Sequence, residues 1–119
     1  RLQERATRLV GASRVVLAGD AAHPMLPTLG QGATQSIEDA CVLVDEIRHA
    51  LADGGQLHNI PSQFAARRRQ RIDFVTGFSR EATDTLHAGA DPVAGTARKL
   101  EPAFLRKLQQ LYRDVRRPK

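Results

Sequence analysis

The chain has 119 residues, which allows one small domain at most. Hydrophobic residues make up 41% of it, so it is not a disordered chain. A single cysteine excludes an internal disulfide, and the sequence shows neither a signal peptide nor an apolar run of membrane-spanning length. We therefore expect a reducing, cytoplasmic setting and no membrane partner, while the net charge of +5 brings nucleic acid into consideration.

The first structural signal is a short strand. Residues 1–10 mix polar and apolar side chains and are read as an approach segment. Residues 11–13, Gly-Ala-Ser, indicate a break in the chain before the strand. Arg14 to Ala18 is an apolar, β-branched run of the length expected for a strand covered on both faces. A lone strand leaves its backbone N–H and C=O groups without partners. Another copy or a missing larger region must supply them, unless this segment is not a strand.

A long loop with glycines follows the strand. Gly19 and Asp20 end the strand, and the loop then leads through two prolines to Gly30-Gln31-Gly32 at a helix start. Glycines let the backbone approach a ligand, and the first amides of a helix carry positive partial charge. The Asp20 carboxylate only accepts hydrogen bonds, so it selects donors such as sugar or ribityl hydroxyls. A plain turn with helix punctuation is the alternative, which we favour for a lone Gly-Asp pair but not for the whole stretch.

The residues of this stretch form a dense pattern. They are Gly19-Asp20-Ala21-Ala22-His23-Pro24, Pro27, Gly30-Gln31-Gly32 and Glu38-Asp39-Ala40. The pattern resembles the second FAD-binding motif of the class A flavoprotein aromatic hydroxylases, the family of para-hydroxybenzoate hydroxylase, salicylate hydroxylase and zeaxanthin epoxidase. The resemblance covers about twenty residues, and beyond it only an Arg-rich helix about thirty residues later agrees.

The resemblance implies a C-terminal segment of an FAD-dependent monooxygenase. The fold would be mainly α with one short β-strand, as the C-terminal fragment of an α/β, Rossmann-like, para-hydroxybenzoate hydroxylase-type FAD-binding fold. Residues 1–52 would complete the FAD-binding domain, and residues 53–119 would form a helical tail. The Gly-x-Gly-x-x-Gly unit that opens such enzymes is not found, since Gly30-Gln31-Gly32 lacks the third glycine and lies too far from its strand. The expected partners are the missing N-terminal FAD-binding and substrate regions, and the isolated segment is expected to self-associate.

The resemblance also implies an activity. In this family NAD(P)H reduces the flavin, oxygen adds at C4a, and the hydroperoxide transfers one oxygen atom to an aromatic or other electron-rich substrate. The segment alone is expected to be inactive and to bind FAD weakly or not at all. Another FAD-dependent oxidoreductase of the same superfamily, such as a dehydrogenase, a reductase or a halogenase, is the alternative.

Site residues are carried over from the resemblance. Asp20 would bond the ribityl chain, and the helix amides would face the pyrimidine edge of the flavin, where negative charge develops on reduction. Pro27 would lie near flavin and substrate, His23 would be a structural hydrogen-bonding residue, and no residue is a convincing general base. Thr34 stands where many relatives have Asn. The predicted cofactor-binding residues are Asp20, Leu29, Gly30, Gln31, Gly32, Ala33 and Thr34.

Helices are predicted on both sides of residues 53–55. The first carries an apolar stripe that we expect to face inward, and it places Cys41 in the core. The second starts around Pro61 and is weakened at Gly77. The first stripe comprises Ile37, Ala40, Cys41, Val44, Ile47 and Leu51, and the second comprises Phe64, Arg68, Ile72, Val75, Ser79, Ala82 and Leu86.

The rest of the chain is predicted to be a loop followed by a helix. Residues 88–100 would hold at most one short helix, capped by Asp91. A last helix starts at Pro102, and residues 116–119 form a frayed end. Its inward residues would be Phe104, Leu105, Leu108, Leu111, Tyr112 and Val115.

The basic run Arg67-Arg68-Arg69-Gln70-Arg71 has two interpretations. Grouped arginines in a basic chain are typical of nucleic-acid binders. The sequence shows no helix-turn-helix, zinc or RNA-binding signature, and it has few aromatic residues for base stacking. A solvated face with one or two buried ion pairs is therefore favoured over a basic nucleic-acid or interaction module. The four histidines show no metal-ligand spacing.

Overall fold

The computed structural model describes residues 11–12, 14–52, 54, 56–83 and 89–112. This part of the chain is mainly helical, with one pair of very short strands. Strands β1 (Gly11–Ala12) and β2 (Val15–Val16) are antiparallel, and Gly11 lies opposite Val16. The helices are α1 (Gln31–Ala52), α2 (Ile60–Ala82), α3 (Pro92–Lys99) and α4 (Pro102–Leu111), and the 3-10 turns are Gly19–Ala21, Pro27–Leu29 and Leu57–Asn59.

The strand prediction was wrong in its extent and its surroundings. Only Val15–Val16 is extended in a ladder, and its partner β1 comes from the same chain. The Val15 side chain is 59% exposed, although the sequence pattern suggested cover on both faces. The pair just upstream provides one neighbour for this strand, Gly11 opposite Val16 and Ala12 opposite Val15, so part of its backbone pairing comes from within the chain. The predicted approach segment, residues 1–10, lies outside the described residues.

Helices α1 and α2 form an antiparallel pair that dominates the structure. Three ion pairs run in opposite order along the two helices: Glu38 with Arg71, Asp39 with Arg68, and Glu46 with Arg67. The predicted ends agree, because α1 stops at Ala52 and α2 has a proline in its first turn. The helix continues through Gly77 without a break.

The predicted stripe of α2 is confirmed. Its members are buried, and the helix contributes the largest share of the fully buried side chains. Leu86, the last predicted member, lies outside the described residues. Those that are confirmed are Phe64, Arg68, Ile72, Val75, Ser79 and Ala82.

The apolar core lies between α2, α4 and the loop before α1. Its buried centre is Val75, Phe78 and Leu111. Phe78 stacks at a tilt on Phe104 of α4, with ring centroids 4.8 Å apart. The partly buried residues around this centre are Met25, Leu29, Phe74, Phe104 and Leu108. The loop that precedes α1 is therefore anchored on the helical tail.

The last two helices follow the prediction at their starts. Asp91 caps α3, and its carboxylate accepts hydrogen bonds from the amides of Val93 and Ala94. In α4, Phe104, Leu108 and Leu111 face inward as predicted. The prediction that Leu105 and Tyr112 face inward was wrong, because both are exposed. Val115 and residues 116–119 lie outside the described residues.

The predicted inward face of α1 was wrong. Ile37 and Leu51 are each 66% exposed, and Ala40, Cys41, Val44 and Ile47 also face solvent. The buried side of α1 is mostly polar, since α2 presents arginines there that pair with the acids of α1. Periodicity identified an apolar stripe on α1, but no described element covers that stripe. The buried residues of α1 are Gln31, Gln35, Asp39, Val42 and Glu46.

Candidate functional site

The site is built around the 3-10 turn Gly19–Ala21, which we call the Gly-Asp turn. Gly19 has a φ of +59°, a conformation that residues with a side chain rarely adopt. A Cβ atom at this position would lie 2.8 Å from Ser36 Oγ of α1, which is too close. Two separate features therefore require glycine at position 19: the backbone conformation and the close approach of the turn to α1.

The turn places Asp20 beside the start of α1. Asp20 is exposed, and a Cβ atom placed on Gly32 would lie 3.7 Å from Asp20 Oδ1. The structure therefore brings together the two features that the sequence predicted to share a site. Because Gly32 has no side chain, that residue places no Cβ atom in the space next to the carboxylate.

The chain enters α1 through a second turn, Pro27–Leu29. Gly30 ends this turn with a φ of +61°, and its amide donates to the Pro27 carbonyl over 2.9 Å. The Leu29 side chain packs against the core, so its backbone is what remains for a ligand. Thr28 bonds the hydroxyl of Thr83 at 2.5 Å, which ties this turn to the end of α2. Pro27 itself is exposed.

The first turn of α1 offers backbone donors. The amides of its first three residues, Gln31, Gly32 and Ala33, have no carbonyl partner within the helix, and the macrodipole makes this end positive. No acidic residue lies in that turn to neutralise it. Ala33 and Thr34 are exposed, whereas Gln31 is buried and its side-chain amide donates to the Leu29 carbonyl at 3.3 Å. Backbone donors at such a helix end suit an anionic or carbonyl oxygen.

Behind the Gly-Asp turn lies a buried ionic network centred on Asp39. Asp39 Oδ2 accepts hydrogen bonds from the Gly19 amide at 2.8 Å and from His23 Nε2 at 2.6 Å. Asp39 Oδ1 accepts from Arg68 Nε at 2.6 Å. His23, Asp39 and Arg68 are each fully buried. The expectation that His23 is a structural hydrogen-bonding residue is therefore confirmed.

The network keeps Asp39 ionised. Burial raises the pKa of its carboxyl, but hydrogen bonds from His23, the Gly19 amide and Arg68 outweigh burial, so that the pKa lies below its ordinary value. Because an ionised carboxylate only accepts, His23 Nε2 must be the donor in their contact. The pKa of Glu38 is likewise lowered: its burial is outweighed by hydrogen bonds from Arg71 and Arg68.

The arginines of α2 are largely used inside the chain. Arg67 bonds Asp45 and Glu46, at 2.5 Å and 2.8 Å. Arg71 bonds Glu38 and the Leu111 carbonyl at the end of α4. Together with Arg68, three of the four arginines in the basic run pair with α1, which confirms the ion-pair interpretation and leaves little of the run for phosphates.

Sequence reasoning missed the contact between Asp39 and Arg68. A signal was present, because Arg68 is the one charged residue on the predicted buried stripe of α2. A buried arginine needs a paired acid. Among the described residues, no group of three or more His, Cys, Asp or Glu side chains is placed to hold a metal ion. None of the helices in the described ranges is both long and apolar enough to cross a membrane.

Comparison with known proteins points to one family. Residues 1–79 match the sequence profile of the FAD binding domain family. The chain is 42% identical over 87 residues to salicylate hydroxylase from Pseudomonas putida, a match that covers 73% of this chain and 20% of that protein. It is 43% identical over 79 residues to a 3-amino-4-hydroxybenzoate 2-monooxygenase from Streptomyces platensis, which covers 66% of this chain and 19% of that protein.

A fungal relative gives the same picture. An FAD-dependent monooxygenase from Penicillium shearii is 35% identical over 97 residues, which covers 74% of this chain and 20% of that protein. The chain thus spans about a fifth of the length of these relatives. No solved structure shows a significant match. The family match extends over more than half of the chain and includes the Gly-Asp turn, α1 and most of α2, so the chain belongs to the FAD binding domain family, whose cofactor is FAD.

Proposed function

We propose that this chain forms one wall of the flavin site of an FAD-dependent monooxygenase. The enzyme would hydroxylate or epoxidise an aromatic or other electron-rich substrate with NAD(P)H and O2. The observation that carries the proposal is the placement of the Asp20 carboxylate beside Gly32 at the amide-rich start of α1. An acceptor and a set of donors lie next to each other, with an open glycine between them.

This donor and acceptor set fits the groups of FAD. Asp20 would accept hydrogen bonds from ribityl hydroxyls. The backbone amides of Gly32, Ala33 and Thr34 would donate to the oxygen and nitrogen atoms at the pyrimidine edge of the ring. The side chain at position 34 is a threonine hydroxyl, so the backbone amide is the group we assign to this contact. Leu29, Gly30 and Gln31 would contribute backbone only, since their side chains are packed, absent or turned inward.

The chain's own contribution to the chemistry is electrostatic. When bound, FAD would supply the redox chemistry that links NAD(P)H to O2. The start of α1 favours negative charge on the ring, which is worth roughly 0.3–1 kcal/mol at an exposed helix end and up to about 2 kcal/mol when partly buried. Pro27 would help to shape the space between ring and substrate. We assign no general base to this chain.

An aromatic substrate is favoured by two of the relatives. Their names state salicylate and 3-amino-4-hydroxybenzoate as the compounds acted on. We extend that substrate class, and not either compound, to this chain. Another FAD-dependent oxidoreductase, such as a dehydrogenase, a reductase or a halogenase, is the second candidate, because Asp20 and the helix amides would serve any of these reactions equally well.

The exposed stripe of α1 supports a proposal about partners. We propose that the remaining FAD-binding and substrate regions of the same polypeptide cover Ile37, Val44 and Leu51, since the relatives are about five times longer than their matched part. Residues 1–52 would then belong to the FAD-binding domain and residues 53–119 to a helical tail. The isolated chain is expected to self-associate, and analytical ultracentrifugation should show less association after Leu51→Gln. A cytoplasmic location belongs to the same proposal and can be checked by cell fractionation.

Flavin binding and turnover test the proposed function. The full-length protein should bind FAD, and it should consume O2 and NAD(P)H together with formation of a hydroxylated or epoxidised product. Asp20→Asn should raise the dissociation constant for FAD about tenfold, because a hydrogen bond to a charged group is worth roughly 1.5–3 kcal/mol and the asparagine keeps one acceptor oxygen, so that only part of this is lost. Asp73→Asn, at an exposed position on α2, is the matched control and should leave the constant unchanged.

Two outcomes would decide against it. If Asp20→Asn and Asp73→Asn bind FAD equally well, Asp20 does not contact the cofactor. If NAD(P)H is oxidised with a substrate that gains no oxygen atom, the second candidate is correct.

A further inference from the structure

The Asp39 carboxylate joins three parts of the described structure. It lies on α1, it accepts from both ends of the segment that contains Asp20, and it accepts from α2. Gly19 immediately precedes Asp20, and His23 follows it by three residues. Both donate to the same oxygen, Asp39 Oδ2, at 2.8 Å and 2.6 Å. The backbone just before Asp20 and the His23 side chain just after it are therefore held by one buried atom.

The turn between these two anchors is closed by its own backbone. The amides of Ala22 and His23 both donate to the Gly19 carbonyl, each at 2.9 Å. A Cβ atom on Gly19 would lie 2.8 Å from Ser36 Oγ, so the turn approaches α1 closely at this residue. Asp20 thus has little freedom to move toward α1 or away from it while both anchors are in place.

Arg68 fixes the Asp39 carboxylate from the opposite side. All three of its guanidinium nitrogens are used: Nε on Asp39, Nη1 on Glu38 at 2.9 Å, and Nη2 on the side chain and the carbonyl of Gln35. Such a fork defines the orientation of its acceptors as well as their charge. The rotamer of Asp39 is consequently set by α2.

We infer that Asp39, His23 and Arg68 act as positioning residues, a group we call the Asp39 clamp, which holds Asp20 in the orientation that flavin binding requires. The inference rests on the proposed function of Asp20. Arg68 would then contribute to flavin affinity from α2 without touching the cofactor. A role in stability alone is the competing explanation, and the two differ in whether the effect of Asp39 depends on Asp20.

The test measures FAD affinity in the full-length protein with a double-mutant cycle. Asp39→Asn should weaken FAD binding about tenfold, because an amide cannot accept from Gly19, His23 and Arg68 together. Asp20→Asn/Asp39→Asn should bind no more weakly than Asp20→Asn, since a positioning residue has no effect once its target is removed. Independent, additive losses would overturn the inference while leaving the role of Asp20 intact.

A matched control comes from the same helix pair. Asp45 also pairs with an arginine of α2, Arg67, and it lies six residues further along α1 than Asp39. Asp45→Asn should therefore keep the FAD dissociation constant within about twofold of the unmodified protein. A tenfold loss here would show that any broken ion pair between α1 and α2 weakens binding, which would also overturn the inference.

A second pair of variants covers the case in which Asp39→Asn fails to fold. Nδ1 of His23 has no hydrogen-bond partner among the described residues, so the Nε2 donor is the polar function that a replacement must retain. His23→Gln keeps a donor and should bind FAD within about threefold of the unmodified protein. His23→Leu removes the donor and should lose about tenfold. Equal affinities for the two variants would refute a clamp that acts through this bond.

Hydrogen exchange of the Gly19 amide provides a readout without flavin. In the flavin-free protein, this amide should be protected, and both Asp39→Asn and His23→Leu should lower the protection several-fold. If the unmodified protein shows this pattern but binds no FAD, the proposed function fails while the clamp on the turn stands. If exchange is unchanged in both variants, the clamp itself is refuted whatever the flavin result.

Discussion

Substituting Gly19 by alanine tests the close approach of the Gly-Asp turn to α1. Two separate costs are expected. The backbone φ of +59° costs an L-residue roughly 1–2 kcal/mol. In addition, the new Cβ would lie 2.8 Å from Ser36 Oγ and 3.4 Å from Ser36 Cβ, so either the serine or the turn must move.

The size of the second cost follows from what Ser36 is doing. Its hydroxyl donates to the Gly32 carbonyl at 2.9 Å, and rotating it away would give up that hydrogen bond, worth about 1 kcal/mol. We therefore expect Gly19→Ala to lower the free energy of unfolding by about 2–3 kcal/mol in total. A chain of this size has only on the order of 5–15 kcal/mol to lose.

Gly54 supplies the control that separates the two costs. It has nearly the same φ, +60°, but nothing lies within 4 Å of the position its Cβ would take. Gly54→Ala should therefore show only the backbone cost, and the change in the unfolded chain is the same in both variants. Urea denaturation followed by far-ultraviolet circular dichroism measures both. If the two losses are equal, the turn does not press on α1 and the described packing of the site is incorrect.

A rescue variant checks the identity of the contact. Gly19→Ala/Ser36→Ala removes the oxygen that the new Cβ would meet, so it should be more stable than the sum of the two single losses by about 1 kcal/mol. Strict additivity would mean that the two positions do not touch.

The remaining predictions concern the first turn of α1, the ionic network and the cap of α3. Gly32→Ala should leave the free energy of unfolding unchanged or raise it by up to about 1 kcal/mol, because alanine favours helix more than glycine does. The same variant should bind FAD more weakly, as measured by flavin fluorescence, because its methyl group would fill the space beside Asp20. Arg68→Met should lower the free energy of unfolding by about 3–5 kcal/mol, because it leaves the buried Asp39 carboxylate without its paired arginine. The same urea denaturation assay measures this loss. The pKa values of Asp39 and Glu38 are lowered in the folded state. Both ionised carboxylates therefore stabilise the folded protein above their ordinary pKa values, and this stability should be lost as the pH falls through the lowered values. A pH series of melting temperatures that stays flat below pH 5 would contradict this. Asp91→Ala should cost about 1 kcal/mol through loss of the cap on α3, and a loss of less than a few tenths would show that the cap is not formed in solution.

The sequence predicted those parts of the fold whose signal lies within one continuous stretch of residues. The stripe of α2 was predicted correctly, including the unusual Arg68, because the core and the acids of α1 both face it. The cap at Asp91 was predicted because its signal is contained in four neighbouring residues. Local patterns of this kind need no knowledge of distant contacts.

The face of α1 was predicted incorrectly for a physical reason. An apolar stripe shows that one side of a helix suits an apolar environment, but it does not say which molecule or segment provides that environment. In this chain the neighbour is α2, whose arginines make the polar side of α1 the buried one. The strand was misjudged similarly, because the partner of Val15–Val16 is the upstream pair Gly11–Ala12, which carries no strand signal of its own.

In the candidate site, too, the feature contained in a local pattern was predicted and the contact between distant residues was not. The proximity of Asp20 and Gly32 was expected, since a motif that occurs as one compact pattern can be recognised along the sequence. The Asp39 clamp was not, because Asp39 and Arg68 are 29 residues apart and no local pattern connects an acid on one helix with a base on the next.

A buried ion pair in this position suggests selection for geometry more than for stability. Well-packed apolar residues of similar volume often stabilise a protein as much as a buried pair does, because both charges lose their hydration. An apolar pair would allow α1 and α2 to slide by a fraction of a turn at little cost, whereas Arg68 satisfies its acceptors only in one register. That register also determines where Gly19 meets Asp39, and hence how far Asp20 stands from the start of α1. If the acceptor and the donors of the flavin site must match a rigid cofactor, a network that fixes one register is worth retaining even where its net contribution to stability is small.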